Sequence, residues 1–364
     1  MSEFTRRLNL NSGKVIVAII LVLSLFSFQL IFSTSGEWFN HTIHLLLSLV
    51  VMFIFSKIDY RTLSALGTIG LIVAAILLLI TLSKGGTDSR SVVLFGFNLQ
   101  TFYLIGFLVV FYIAKFLATR INKEQGITQQ ELIQLFIIIA GFCAGVFLTN
   151  QSTAIILFAT CLVVLFVAKI PVKYLAYFTL AVLIAGTIFV AAGGGRSGTL
   201  KNRFTLWAHG YVEGVPEDYA RQVVLSKAAI SRSQLLPWGV GEGVIKVSLP
   251  ARDNDYVFSV LVEEFGVIMS LFVIFLYLAL LFQAMRIARN ADGAFASLLA
   301  FGIGFWFSAQ AFVHIGVNCG LIPSTGQTLP FISRGGAALI ISGAAIGILL
   351  NIHKNNAELK AEST

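Results

Sequence analysis

Apolar runs of about 20 residues recur along the whole chain, and only short polar stretches separate most of them. A run of this length crosses the ~30 Å hydrocarbon core of a bilayer as an α-helix. Hydrophobic residues make up 57% of the 364 residues and charged residues 12%, whereas soluble domains carry about 25% charged residues. So few charges cannot cover a water-soluble surface, and the sequence therefore predicts an all-α polytopic membrane protein.

Ten such segments can be counted, and they predict ten transmembrane helices. The segments run over Val15–Phe32, Thr42–Phe55, Leu63–Leu82, Thr101–Ala118, Leu132–Leu148, Thr153–Ala168, Tyr174–Ala192, Tyr256–Phe282, Ala294–Val317 and Gly335–Ile352. Those that begin at Thr42 and Thr153 are the shortest. We expect one membrane domain over residues 1–364, without a separate soluble domain.

The distribution of Lys and Arg predicts the orientation of the helices, because cytoplasmic loops carry an excess of these residues. With the N-terminus in the cytoplasm, more than half of the 25 Lys and Arg residues fall in cytoplasmic segments. Most of the others lie in one long loop, residues 193–255, between helices 7 and 8. Loops of that length do not follow the rule. We therefore expect both termini in the cytoplasm and a large extracytoplasmic loop.

Composition and motif searches exclude several classes of function. The net charge is +8, but the charges are scattered between apolar runs, which argues against a nucleic-acid partner. Cys143, Cys161 and Cys319 have no close partner in sequence and are expected to be inert. There is no zinc-ligand spacing, no P-loop and no hydrolase elbow. We expect no bound metal cluster.

The long loop contains three groups of residues that could bind a ligand. Lys201–Trp207 combines basic and aromatic side chains, Asp218–Ser231 has the period of an amphipathic interfacial helix, and three glycines alternate over Gly239–Gly243. Each has a simpler interpretation. The basic and aromatic residues could anchor the loop at lipid headgroups, the glycines could form a linker, and Asp255 could cap the next helix.

Two adjacent carboxylates, Glu263 and Glu264, lie inside an apolar segment, where charges are costly unless they are paired, protonated or facing a cavity. On a helix, Glu263 falls within ~80° of Asp255, and Glu264 about 180° away. We therefore expect only Glu263 to share a cavity with Asp255, and Glu264 to meet a polar partner on a neighbouring helix. The candidate partners are His44, Asn150, Gln151, Gln310 and His314.

Two stretches of sequence resemble the SEDS family, the shape, elongation, division and sporulation proteins. The stretch Gly320–Gly336 resembles the family signature between the last two helices. Gly239, Lys246, Leu249-Pro250 and Asp255 through Gly266 resemble the family's glycine-rich run and the aspartate motif that follows it. The resemblance covers nearly the whole chain.

The resemblance implies a peptidoglycan glycosyltransferase that polymerises lipid II outside the cytoplasmic membrane, with a class B penicillin-binding protein as partner. Details such as Thr328-Leu329-Pro330 favour the division branch of the family over the elongation branch, although the short chain favours the latter. We accordingly expect divisome partners and a location in the bacterial inner membrane, at the septum. The main rival function is that of a lipid II flippase.

The resemblance also assigns candidate site residues. Asp255 aligns with the family's essential aspartate and is expected to act as the catalytic base. Cations should stabilise the charge that grows on a pyrophosphate leaving group. The residues expected to bind substrate are Arg90, Arg203, Gln222, Ser226, Lys246, Ser333 and Arg334, with Glu263 and Glu264 in support. A divalent cation held in part by Asp255 is compatible with this chemistry.

The chain departs from the family pattern at two intramembrane sites. The family's Gln-Pro-Ser-Glu-Leu-Ala-Lys corresponds to Gln100–Gly106, which lacks the Glu and the Lys. Its Gln-Pro-Asp-Leu-Gly-Thr-Ala corresponds to Thr149–Ala154, which lacks the Asp. A charge network common in the family is therefore reduced, and a role for charges in helices 4 and 5 is not expected.

Overall fold

The computed structural model describes most of the chain. The described residues are 11–65, 67–83, 92–94, 97–99, 101–121, 126–194, 197–210, 213 and 216–362. Arg90, one of the residues expected to bind substrate, lies outside them.

Most of the described residues form α-helices. In chain order these are α1 (Ser12–Thr34), α2 (Trp38–Lys57), α3 (Tyr60–Ala65), α4 (Gly67–Ser83), α5 (Thr101–Ile121), α6 (Gln129–Thr149), α7 (Gln151–Val167), α8 (Val172–Ala191), α9 (Ser197–His209), α10 (Glu217–Arg232), α11 (Val257–Arg289), α12 (Ala294–Asn318) and α13 (Gly336–Glu362). A short antiparallel pair, β1 (Val92–Leu94) and β2 (Phe97–Leu99), precedes α5, and Ile245–Val247 forms one 3₁₀ turn.

Eight of these helices are long and apolar enough to cross a membrane: α1, α2, α5, α6, α8, α11, α12 and α13. The expectation of a polytopic helical membrane protein is confirmed. The apolar helices α4 and α7 are shorter, with 17 residues each, so spans nine and ten stay a prediction. The weak segment at Thr42 belongs to the 20-residue helix α2.

Polar residues cap the first turns of α6 and α7. Thr128 and Glu131 form a capping box at the start of α6, in which the side chain of each residue accepts the main-chain N–H of the other. At the far end of α6, the side chain of Asn150 accepts the N–H of Thr153 at 3.1 Å and so begins α7. The two helices therefore meet in a tight turn.

Small residues allow α2 and α13 to pack in close contact. A Cβ at Gly343 would lie 2.3 Å from the carbonyl oxygen of Ser48, and one at Gly347 would lie 2.5 Å from that of Met52. The hydroxyl of Ser48 donates to the carbonyl of Leu339 at 2.6 Å. Because lipid offers no hydrophobic drive for association, such close packing is what joins helices in a membrane.

The helix that follows the long loop is broken, which the apolar run Tyr256–Phe282 does not predict. Gly266 has φ 77° and ψ 173° in the middle of α11. Loop residues supply the main-chain hydrogen bonds that the break removes. The N–H of Val267 donates to the carbonyl of Gln234 at 2.9 Å, and the carbonyl of Glu264 accepts the N–H of Trp238 at 3.1 Å. The loop is thereby joined to the helix main chain on both sides of the break.

We predict that Gly266→Ala destabilises the protein. At φ 77° and ψ 173°, a region essentially restricted to glycine, an L-residue costs about 1–3 kcal/mol, and a Cβ would lie 2.7 Å from the carbonyl carbon of Leu236. Thermal unfolding in detergent should show a clear drop in the melting temperature. Gly186→Ala in α8, where a Cβ meets nothing within 4 Å, is the matched control and should melt at or above the parent's temperature. Equal melting of all three proteins would show that the break does not need glycine.

Candidate functional site

Asp255 lies in the turn just before α11, and its side chain is partly exposed. The capping residue of the helix is Tyr256, and no side chain makes a cap hydrogen bond there. The interpretation of Asp255 as a helix cap is therefore wrong. Because Asp255 precedes the helix, the helical angle expected between Asp255 and Glu263 does not apply either.

Asp255 and Arg203 converge on the main chain of Gly326. A Cβ at Gly326 would lie 3.4 Å from an Oδ of Asp255 and 3.9 Å from an Nη of Arg203. Burial raises the pKa of the neighbouring Tyr256 phenol; the Asp255 carboxylate raises it further, and Arg203 opposes the rise. The carboxylate of Asp255 and the guanidinium of Arg203 come from distant parts of the loop and lie together beside the main chain of Gly326.

The Gly320–Gly336 segment holds the main chain around Asp255 in place. Nε of Arg334 pairs with an Oδ of Asp253 at 2.9 Å, and the hydroxyl of Ser333 donates to the carbonyl of Asn254 at 2.8 Å. Ser333 also accepts the N–H of Leu329 at 2.7 Å and is buried, so its contacts are structural. Arg334 remains 45% exposed and can reach a ligand.

Asn318, the last residue of α12, was not among the expected site residues, yet it holds the main chain of Asp255 in place. Its Nδ2 donates to the carbonyl of Asp255 at 3.1 Å, and its Oδ1 accepts both the N–H and the hydroxyl of Ser259, at 3.0 and 2.8 Å. The expected residue Ser226, in α10, bonds to the hydroxyl of Ser259 at 2.6 Å. This buried node joins α10, α11 and α12. The sequence signal was an Asn that ends an apolar run.

A second set of uncharged polar groups joins α7 and α12 to the segment that contains Gly326. Nδ1 of His314 bonds to the carbonyl of Gln327 at 2.7 Å, so the proton lies on Nδ1. Nε2 of Gln327 donates to the hydroxyl of Thr153 at 2.7 Å. The hydroxyl of Ser152 donates to the carbonyl of Thr325 at 3.1 Å. These contacts fix both sides of Gly326, and sequence reasoning did not assign them to the site.

Glu263 does not face an open cavity with Asp255, contrary to the expectation. Its carboxylate accepts three main-chain N–H groups, those of Val244 and Ile245 at 2.9 and 2.8 Å and that of Lys246 at 3.2 Å. Its side chain is buried. Glu263 therefore holds the 3₁₀ turn of the loop, which is a supporting role.

Lys246, one of the residues expected to bind substrate, is paired with Glu264. Its ammonium donates to both the Glu264 carboxylate and the hydroxyl of Ser33. Ser33 in turn donates to Glu264 at 2.5 Å. The Lys246 and Glu264 side chains are 6% and 0% exposed. Glu264 does meet the neighbouring helix α1, as expected, but through Ser33 and not through any of the five candidate partners.

Arg252 is a further residue that the sequence did not single out. Its Nε donates to the carbonyl of Thr34 at 2.8 Å, and its Nη1 donates to the carbonyls of Lys246 and Val247 at 3.1 and 2.9 Å. Thr34 is the last residue of α1, where free carbonyls favour a cation. Arg252 thus joins the end of α1 to the loop just before Asp255.

The predicted amphipathic helix is confirmed as α10, Glu217–Arg232. Gln222, expected to bind substrate, lies on it one turn before Ser226 and is half-buried. Within the described part of the chain, no three His, Cys, Asp or Glu side chains come together to hold a metal ion.

The chain is similar to several known proteins over most of its length. A family described as cell cycle protein, which comprises FtsW, RodA and SpoVE, matches residues 9–358. A probable peptidoglycan glycosyltransferase FtsW of Coxiella burnetii is 30% identical over 328 residues, covering 86% of this chain and 85% of that protein. The stage V sporulation protein E of Bacillus subtilis is 27% identical over 314 residues, with coverage of 85% and 84%.

Solved structures share the fold at lower sequence identity. One comes from work on the structural coordination of polymerization and crosslinking by a peptidoglycan synthase complex. It has a TM-score of 0.76 at 22% identity and covers 94% of this chain and 97% of its own. The rod shape determining protein RodA of Thermus thermophilus has a TM-score of 0.67 at 20% identity, with coverage of 94% and 96%.

We predict that Lys246→Met destabilises the protein by about 3–5 kcal/mol, because Glu264 is then buried without a counter-charge. The double variant Lys246→Met/Glu264→Leu should recover most of this loss. Unfolding free energies in detergent measure both. Lys354→Met, which breaks an exposed pair with Glu358, is the control and should cost less than about 1 kcal/mol. A double variant no more stable than the single one would contradict the pairing.

Proposed function

Because the chain belongs to the FtsW, RodA and SpoVE family of cell cycle proteins, we propose that it is a peptidoglycan glycosyltransferase. It polymerises lipid II into glycan strands at the outer face of the cytoplasmic membrane during cell division. The observation that supports this most strongly is the convergence of Asp255 and Arg203 on Gly326. One side chain can accept a proton and the other can bind phosphate oxygens.

In the proposed reaction, a sugar hydroxyl of one lipid-linked substrate attacks the anomeric carbon of another. The carboxylate of Asp255 takes the proton of that hydroxyl as the new C–O bond forms. The bond between the anomeric carbon and the pyrophosphate breaks, and the lipid pyrophosphate leaves with the electron pair. Asp255 is partly exposed, so both an acceptor hydroxyl and water can reach it.

Two arginines are placed to stabilise the pyrophosphate. Arg203 lies at the same point as Asp255, and a guanidinium binds phosphate oxygens through two parallel hydrogen bonds. Arg334 pairs with Asp253, two residues before Asp255, and its side chain is half-exposed. Lys246 is bound to Glu264, and its release would leave a buried carboxylate unpaired. We therefore assign the electrostatic role to the arginines.

The relatives support a proposal for the partner and the location. One similar structure comes from a peptidoglycan synthase complex that coordinates polymerization and crosslinking, and the FtsW relatives support the division branch. We infer that this chain works with a class B penicillin-binding protein and divisome proteins, at the septum of the inner membrane.

We predict that the loop of residues 193–255 faces away from the cytoplasm, with both termini inside. Cysteine at Ser248, which is exposed, should react with a membrane-impermeant maleimide in intact spheroplasts. The background is a chain in which Cys319 is replaced by Ala. A variant with cysteine at Lys354, near the C-terminus, should react only after lysis. The reverse pattern would overturn the orientation and place the site on the wrong side for this function.

Asp255→Asn should abolish polymerisation of lipid II, because the amide keeps the size of the side chain but cannot accept the proton. Gel analysis of glycan strands made by the purified variant with its transpeptidase partner gives the measurement. The control is Asp292→Asn, since Asp292 is exposed and pairs with Arg61 at 3.3 Å, away from the site. Strands of normal length and yield from the Asp255 variant would refute its role as the base.

Arg203→Gln should slow polymerisation by more than about tenfold, or at least ~1.4 kcal/mol of transition-state stabilisation. The loss should appear mainly in kcat, since charge on the pyrophosphate grows in the transition state. Lys201→Gln removes a charge from the exposed side of the same helix and should change the rate far less. Similar small effects at both positions would mean that these cations only anchor the loop at lipid headgroups.

A further inference from the structure

Two helices show where the hydrocarbon core ends on the side of Asp255. The part of α11 after the break, Val267–Arg289, is about 34 Å long at 1.5 Å per residue, which alone spans the ~30 Å core. Helix α1 has 23 residues and the same length. The penultimate residue of α1 is Ser33, and its hydroxyl donates to the carboxylate of Glu264 at 2.5 Å. Glu264 is two residues before Gly266 in the chain. Both helices therefore place the boundary at the level of Gly266.

Exposure along α11 changes at the same level. Before the break, every residue of Val257–Phe265 is buried in protein. After it, large apolar side chains are exposed, with Ile268 at 50%, Leu271 at 58% and Phe275 at 60%. The lipid-facing surface of α11 thus begins immediately after Gly266. The first part of the helix stands outside the core, and Asp255 lies up to about 16 Å from Gly266 along the helix axis.

The loop returns to this boundary and exposes apolar side chains there. The carbonyl of Leu235 accepts the N–H of Ile268 at 3.3 Å, and the N–H of Trp238 donates to Glu264 at 3.1 Å. Yet Leu235 is 69% exposed, Leu236 65% and Trp238 47%. Their main chain is fixed to α11, so these side chains continue its lipid-facing surface.

Aromatic and basic residues at the same level fit a headgroup environment. The guanidinium of Arg232 lies 5.8 Å from the ring centre of Trp238. At the end of α1, Phe32 and Trp38 are also exposed and stack edge to face at 5.9 Å. Tryptophan and basic side chains concentrate where the hydrocarbon core meets the headgroups.

We propose that Leu235, Leu236 and Trp238 form a lipid anchor, inserted at the boundary between headgroups and acyl chains on the Asp255 side. The occupant of this surface is the bilayer itself, since the three residues continue the lipid-facing side of α11 and lie level with the end of α1. The anchor holds the loop and the outer half of α11 at a fixed height above the core. It does not depend on the proposed catalytic activity.

Site-directed fluorescence in lipid nanodiscs tests the anchor on the full chain without any partner. The background replaces the exposed Cys319 by Ala, since Cys143 and Cys161 are buried. A fluorophore is attached at Leu236→Cys, at Phe275→Cys as the control inside lipid, and at Lys201→Cys as the control in water. The main chain of Leu236 packs against Gly266, and a change of its exposed side chain leaves that contact in place. Melting temperatures confirm that each variant folds.

Each label is quenched by lipids with a nitroxide near the headgroup, by lipids with a nitroxide deep in the acyl chain, and by aqueous iodide. The anchor predicts that label 236 is quenched most by the shallow nitroxide and is shielded from iodide, whereas label 275 responds most to the deep one. If label 236 responds to iodide as label 201 does, the surface is exposed to water in the free protein. That result overturns the anchor and favours a protein partner as the occupant.

Discussion

Two adjacent buried carboxylates, Glu263 and Glu264, are the constraint on which the rest of this structure depends. Each ion loses several kcal/mol of hydration free energy in the protein interior, and hydrogen bonds or ion pairs with specific partners must offset that loss. Glu263 obtains it from three main-chain N–H groups of the loop, and Glu264 from Lys246 and Ser33. Because these partners lie in the loop and in α1, the two carboxylates hold the loop against α11 and α1 and restrict the conformations that it can adopt.

The residue proposed to do the chemistry is treated differently. Asp255 is partly exposed, and uncharged groups hold its main chain: Asn318 binds its carbonyl, and Ser333 binds that of Asn254. These neutral hydrogen bonds fix the main chain on both sides of the carboxylate. The fully buried charges of Glu263 and Glu264 thus hold the loop in place, whereas the carboxylate proposed as the base is partly exposed.

The sequence predicted the helices well because each must bury a long apolar run in lipid, and that requirement is local. It did not predict the break at Gly266, because an apolar run that contains a glycine looks the same in sequence whether the helix is continuous or broken there. The pair Glu263-Glu264 was the available signal that this stretch lies outside the core. The resemblance made Lys246 a candidate for substrate binding, but the pairing that decides its position joins residues 18 apart. The family motif predicted Asp255, and Arg203 was expected as a cation on the same side of the membrane. Only the fold showed that they meet at Gly326.

The most direct test of the account is the behaviour of the purified chain with lipid II in a sealed bilayer, with and without a class B penicillin-binding protein. Two products are measured together: the length of glycan strands, and the fraction of lipid II that crosses the bilayer. The account predicts strands that depend on the chain, at a rate the partner increases, with no movement of lipid II across the bilayer. Movement of lipid II without strand formation under either condition would contradict it and assign the site to a transporter.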